Sequence, residues 1–140
     1  MCGIVGQVNF DKSPVSSVVL KKMTDVIQHR GPDGEGHWIE GNIGFGHRRL
    51  SIIDLSPAGH QPMISSDHRY VLTYNGEIYN FRELRIELEG KGYCFQSKTD
   101  SEVVLYSLAE WGSDALLKFN GMFALAFWDR KEKKLLLARD

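Results

Sequence analysis

Cys2 is the residue whose position alone suggests chemistry. Its small side chain permits removal of the initiator Met1, which would leave the thiol on the N-terminal residue. The freed α-amine has a pKa of roughly 7.7–8.0, so a useful fraction is unprotonated at neutral pH beside its own thiol. One residue could then supply nucleophile and base together, the N-terminal-amine form of an activated nucleophile. No Cys-His dyad need be sought among the five histidines. If Met1 is retained, the amine is tied up in a peptide bond and that base does not exist. The plain alternative makes Cys2 a small buried hydrophobe. The other cysteine, Cys94, lies in the apolar word Tyr93-Cys94-Phe95 and reads as buried and inert. Two cysteines without Cys-x-x-Cys spacing, and no His-Glu-x-x-His, leave no recognisable metal site. The glycines from Gly41 to Gly46 lack the Lys-Ser/Thr and the helix signature of a phosphate loop.

Longer words then occur in order: Cys2-Gly3-Ile4-Val5-Gly6, His29-Arg30-Gly31-Pro32-Asp33-Gly34, Arg49-Leu50-Ser51-Ile52-Ile53-Asp54, Asn75-Gly76-Glu77-Ile78-Tyr79-Asn80 and Thr99-Asp100-Ser101-Glu102-Val103. Together, over the whole chain, they resemble the class II glutamine amidotransferase domain. More narrowly, they resemble the N-terminal glutaminase domain of glutamine-hydrolysing asparagine synthetases. Sugar-phosphate and phosphoribosyl amidotransferases share the N-terminal cysteine and are the runners-up. The resemblance implies an N-terminal-nucleophile hydrolase fold, an αββα sandwich of two antiparallel sheets between helical layers. It also implies a reaction: the Cys2 thiolate attacks the side-chain carboxamide of glutamine, ammonia leaves, and water hydrolyses the glutamyl thioester.

The resemblance further implies residue roles. Asn75 and Gly76 would form the oxyanion hole, which requires preorganised donors; the same dipeptide is also the strongest short hairpin signal. Arg49 would take the α-carboxylate of glutamine through its planar fork, a geometry that lysine lacks. Asp100 would take the α-ammonium, although as a helix N-cap it would need no further role. Glu77 would help hold the amino end and is otherwise a solvated turn acid. The segment from Arg30 to Gly36 resembles an element that closes over the substrate, its glycines providing hinge freedom. Arg48, adjacent to Arg49 on an alternating strand, should face the other way and is left off the site.

The elements that must position these residues mix strand and helix. A strand is predicted from Ile4 to Phe10, then a helix with Ser13 as N-cap, Pro14 in its first turn, and an apolar stripe through Val15, Val18, Val19, Met23, Val26 and Ile27. The stretch His29 to Gly36 reads as loop. Strands are predicted over Trp38–Glu40, Ile43–Ile53 and Tyr70–Tyr74. A helix follows with an Asn80/Glu83 capping box and Phe81, Leu84 and Leu88 on one side, stopped by Gly90 or Gly92. Tyr93–Gln96 reads as a short strand and Asp100 as the cap of a third helix ended by Gly112. A hairpin closes the chain, with Phe123–Trp128 and Leu135–Leu137 joined by a turn from Asp129 to Lys134. Strand runs flanking helices suggest stacked α+β layers.

With 140 residues, 17 Lys plus Arg against 18 Asp plus Glu, and 42% hydrophobic residues, the chain reads as one globular domain with a core that needs no disulfide. Its charge balance gives no field to gather nucleic acid or anionic lipid. No signal-peptide pattern and no long apolar run is present, so a cytoplasmic location with reduced thiols is expected. Residues 1–140 are read as a glutaminase domain incomplete at its C-terminal end. The resemblance implies L-glutamine as substrate and no cofactor for the hydrolytic step. ATP and Mg2+ would serve only an absent synthetase domain, normally in the same chain, that makes asparagine or amidates another carboxylate. A catalytically silent glutamine-binding fragment is the competing reading, and a homodimer stays open.

Overall fold

The computed structural model describes residues 2–50 and 59–140. Strand β1 (Gly3–Val8) leads into helix α1 (Ser17–Val26), and strands β2 (Gly34–Glu40) and β3 (Ile43–Arg49) form a tight hairpin. Beyond the undescribed stretch come β4 (Met63–Ile64), the long β5 (Tyr70–Ile78), helices α2 (Phe81–Gly90) and α3 (Asp100–Trp111), and a closing hairpin of β6 (Gly121–Asp129) and β7 (Lys134–Arg139). Among the described residues the strands make two antiparallel sheets, ordered β1-β3-β2 and β4-β5-β6-β7. This is the α+β arrangement expected of the N-terminal-nucleophile fold.

Side-chain alternation along β3 explains the layering. Gly46 and Arg48 face α1: a Cβ on Gly46 would lie 2.5 Å from Thr24 Oγ1, so the absent side chain lets the helix sit on the sheet. Arg48 is buried, donates through Nε to the Thr24 carbonyl at 3.1 Å, and pairs with Asp25 and Glu35. Ile43 and Phe45, on the opposite face, pack with Val71 of β5 and Ala126 of β6 between the sheets. On the far side of β5, Leu72, Tyr74 and Ile78 join Leu84 and Leu88 of α2 and Val103, Val104, Leu105 and Leu108 of α3 in the larger core. The order is therefore helix, sheet, sheet, helices. Two apolar faces per sheet also explain why strict two-residue alternation is blurred in β5.

Several local expectations are corrected. Helix α1 starts at Ser17 with Ser16 as N-cap, because the Ser13 N–H and hydroxyl are both committed to Asp11 Oδ1 at 2.9 and 2.7 Å. Asn80 holds the N-cap position of α2, but its side chain makes no cap hydrogen bond: its amide reaches the Lys118 carbonyl and the Asn120 N–H instead, tying the start of α2 to the approach to β6. No strand forms at Tyr93–Gln96, because the Gln96 and Ser97 N–H groups donate to the Glu102 carboxylate instead of to a neighbouring strand. The first strand ends at Val8, and β2 begins at Gly34, inside the stretch expected to be loop. Cys94 is exposed rather than buried. The last part of the strand expected over Ile43–Ile53, and the Ser51-Ile52-Ile53-Asp54 part of its motif, lie outside the described residues.

Candidate active site

The register of the first sheet brings the chain start to the end of β3. Gly3 pairs with Arg48, and Cys2, half-buried, comes against the residue just past the strand. The Leu50 N–H donates to Cys2 Sγ at 3.3 Å, and the Leu50 carbonyl lies 3.6 Å from the sulfur. Arg30 Nε donates to the Cys2 carbonyl at 3.1 Å. Arg30 itself stands in a 3-10 turn, Gln28–Arg30, followed by Gly31, whose missing Cβ would strike the Arg48 carbonyl. The Asp33 N–H then donates to the Arg49 carbonyl at 3.0 Å. Gly31 thus serves close approach to β3, and the segment around it braces the cysteine.

Arg49 closes β3 on the face opposite Arg48, as alternation requires. A Cβ on Gly59 would lie 2.5 Å from Arg49 Nη2 and 3.2 Å from Thr99 Cγ2. The guanidinium therefore reaches toward the start of α3, where Asp100 stands. Thr99, not Asp100, is the N-cap of α3, its hydroxyl accepting the Glu102 N–H at 3.3 Å. That leaves the buried Asp100 carboxylate free of capping duty. Its Oδ2 instead accepts the Tyr74 hydroxyl at 2.7 Å and the Ile78 N–H at 3.0 Å. Its place in the first turn of α3 also sets it at the positive end of the helix dipole.

Asn75 and Gly76 do not turn the chain. They sit within β5, paired with Ala124 and Phe123 of β6, and pairing continues to Ile78 opposite Gly121. Gly76 is required by crowding: a Cβ there would meet the Met122 carbonyl and come within 2.8 Å of Phe123 Cα. Asn75 shares the inter-sheet face of β5 with Thr73, whose hydroxyl lies 3.5 Å from the Gly46 carbonyl of the other sheet. Glu77 continues that parity and is exposed.

Two residues at this junction carried no motif signal. Tyr74 is buried, and its hydroxyl is held protonated far above the ordinary phenol range, first by burial and then by the Asp100 charge, with Glu77 and Cys2 adding to the effect. His47 is also buried; burial pushes its imidazole down to about 4, opposed by the Tyr74 carbonyl 3.3 Å from Nε2 and reinforced by His60 and Arg49. The alternation that separates Arg48 from Arg49 would also give His47 a face, but its partner lies on a strand of the other sheet. The Tyr74 side chain thus holds Asp100 by direct contact, while Cys2 sits against Leu50, one residue past Arg49. Arg49 approaches Asp100's neighbour Thr99, and Asn75 follows Tyr74 in the chain.

Among the described residues no helix is long and apolar enough to cross a membrane. The family model for the glutamine amidotransferase domain matches residues 1–140. Asparagine synthetase [glutamine-hydrolyzing] 1 of Bacillus subtilis is 43% identical over 145 residues, covering 100% of this chain and 22% of that protein. Amidase chry2 of Gibberella zeae is 34% identical over 152 residues, again covering 100% of this chain and 22% of the relative. Among solved structures, the glutamine phosphoribosylpyrophosphate amidotransferase of B. subtilis superimposes with a TM-score of 0.79 at 19% identity, over 98% of this chain and 37% of that one. The chain spans about a fifth of the length of the curated relatives it matches.

Proposed function

The chain belongs to the glutamine amidotransferase domain family, and from that premise we propose that it hydrolyses the side-chain amide of L-glutamine to glutamate and ammonia through a thioester on Cys2. The observation that carries this reading is a chain of contacts among the motif residues: Cys2 Sγ accepts the N–H of Leu50, the residue after Arg49; Arg49 reaches the start of α3; and Asp100 there accepts the hydroxyl of Tyr74, the residue before Asn75. The residues linked in this way come from just before β1, from the end of β3, from β5 and from the start of α3.

In the proposed step, the α-amine of Cys2, exposed by loss of Met1, takes the thiol proton, and the sulfur attacks the amide carbon of glutamine. Negative charge develops on the carbonyl oxygen and is stabilised by the Asn75 amide and the Gly76 N–H. Collapse breaks the C–N bond, and the departing nitrogen receives the proton held by the α-amine. Water then adds to the thioester with the same amine as base, the C–S bond breaks, and glutamate leaves with the thiol restored. Arg49 binds the α-carboxylate of the substrate, while Asp100 and Glu77 hold its α-ammonium. The step as written draws on no metal or organic cofactor. The names of the curated relatives support a further assignment: the ammonia serves ATP-dependent asparagine synthesis by a synthetase domain of the same protein.

The test combines the intact mass of the purified protein, labelling by a glutamine-analogue electrophile, and an ammonia assay. Loss of Met1, stoichiometric labelling at Cys2 and ammonia release are expected, with Cys2→Ala abolishing both labelling and release. A processed protein that binds glutamine but neither labels nor releases ammonia would overturn the reading in favour of a binding module.

A further inference from the structure

Three polar contacts converge on Tyr74, the residue immediately before Asn75. Its N–H donates to Gln61 Oε1 at 2.6 Å, its carbonyl lies 3.3 Å from His47 Nε2, and its hydroxyl donates to Asp100 Oδ2 at 2.7 Å. Gln61 is itself buried, and its Nε2 donates to Ser101 Oγ in the first turn of α3 at 3.3 Å. The backbone and the hydroxyl of Tyr74 are therefore both fixed by groups that lead to α3, at a site that is only 2% exposed.

The Asp100 carboxylate is organised in the same way. Both of its donors among the described residues, the Tyr74 hydroxyl and the Ile78 N–H, fall on Oδ2. An ionised carboxylate offers about four acceptor sites over its two oxygens, so two donors on Oδ2 do not exhaust it, and it can take a cationic partner as well. The last torsion of an aspartate is broad, and a carboxylate held by one donor can rotate about it. Two donors from different directions on one oxygen fix the plane. The phenol suits this task because it remains a donor at every ordinary pH.

Resting on the glutaminase reading above, we propose that Tyr74 is a positioning residue for substrate selection: its hydroxyl holds the Asp100 carboxylate in the orientation that binds the α-ammonium of glutamine, and so sets the preference for glutamine over amides of equal length that lack the amino group. Tyr74 touches no reacting atom in this assignment. A purely structural role in the core would instead weaken every substrate alike.

The experiment compares the processed full chain with Tyr74→Phe and Asp100→Asn, using ammonia release from L-glutamine and from 5-amino-5-oxopentanoate, which is glutamine without its amino group. Competition of each compound against Cys2 labelling supplies the same comparison where turnover of the second is slow. Loss of one hydrogen bond to a charged group predicts that Tyr74→Phe lowers kcat/KM for glutamine about tenfold, mainly through KM, and narrows the preference between the two amides by a similar factor. Asp100→Asn narrows it further. Because the readout is a ratio within one sample, a smaller folded fraction cancels out. A Tyr74→Phe protein that loses both activities equally, or keeps the parent's preference, overturns the proposal. A parent that neither labels at Cys2 nor releases ammonia overturns the glutaminase reading, and this proposal with it; a parent that is active but shows no preference for the amino group overturns this proposal and the α-ammonium role given to Asp100 and Glu77, while glutamine hydrolysis at Cys2 stands.

Discussion

A guanidinium and an ammonium carry the same charge but present it differently, and Arg49 is where that difference bears on the proposed site. Its fork lies beside Gly59 and the start of α3, in a space where a single added carbon on Gly59 would collide with Nη2. Two parallel N–H groups can meet both oxygens of a carboxylate, whereas lysine meets them as a point charge with a freely rotating head. Arg49→Lys is therefore expected to raise KM for glutamine roughly tenfold or more, a loss on the scale of one charge-assisted hydrogen bond, with a smaller change in kcat. Steady-state ammonia release over a range of glutamine concentrations measures it; an unchanged KM would remove Arg49 from substrate binding. The neighbouring Arg48 makes an internal contrast. It is committed to Thr24, Asp25 and Glu35 beneath α1, so its loss should show in melting temperature before it shows in KM.

At the scale of elements, the contact between α1 and the first sheet depends on Gly46. Thr24, fully buried, sends its hydroxyl to the Leu20 carbonyl at 2.8 Å and receives the His37 ring at 3.0 Å, so it cannot retreat from a new methyl group. Gly46→Ala should cost about 1–3 kcal/mol by overpacking, seen as a lower melting temperature. Adding Thr24→Ala should recover part of that loss, since the two changes share one space. Additive losses in the double variant would show that the collision with Thr24 is not what matters and would leave Val5 Cγ2, 2.7 Å from the added carbon, as the clash. Elements of this kind were readable in the sequence where pattern and punctuation agreed. The closing hairpin, the stop at Gly112 and the opposed faces of Arg48 and Arg49 all follow from local rules. What escaped local rules is equally specific. Ser13 had the chemistry of a cap but was claimed by Asp11, Asn80 by the far end of the 112–120 segment, and Asn75-Gly76 by β6. For Asn80 and Asn75-Gly76 the deciding partner lies far along the chain, where spacing does not reveal it; Ser13 was lost to a local turn with Asp11, two residues before it, that competes with the cap.

The whole molecule holds its proposed nucleophile and oxyanion hole on different sheets, Cys2 at the start of β1 and Asn75 on β5, so their mutual position depends on how the sheets are stacked. Apolar packing of Ile43 and Phe45 against Val71 and Ala126 brings the sheets together without fixing their sliding, because the hydrophobic effect is non-directional. The His47 contact with the Tyr74 carbonyl supplies direction, linking β3 to the residue before Asn75. Motif reading passed over His47 because the significance of this residue arises only once the sheets face each other. Its burial also makes the linkage sensitive to acid. With an ordinary value of 6.5 and a folded value of about 4, His47 takes up a proton in the unfolded chain well before it does so in the native one. The unfolded state then binds more protons between those limits, and stability rises with pH across them. Its contribution is present above about 6.5 and is lost as pH falls toward 4, by about 2 kcal/mol at pH 5 and about 3 kcal/mol at pH 4. Urea unfolding at pH 7, 6 and 5 measures this before most carboxylates titrate. His47→Gln keeps an N–H for the Tyr74 carbonyl but cannot titrate, so its stability should stay nearly level from pH 7 to pH 5 while the parent's declines. Equal slopes in the two proteins would place the acid sensitivity elsewhere and leave the inter-sheet contact without a titrating role.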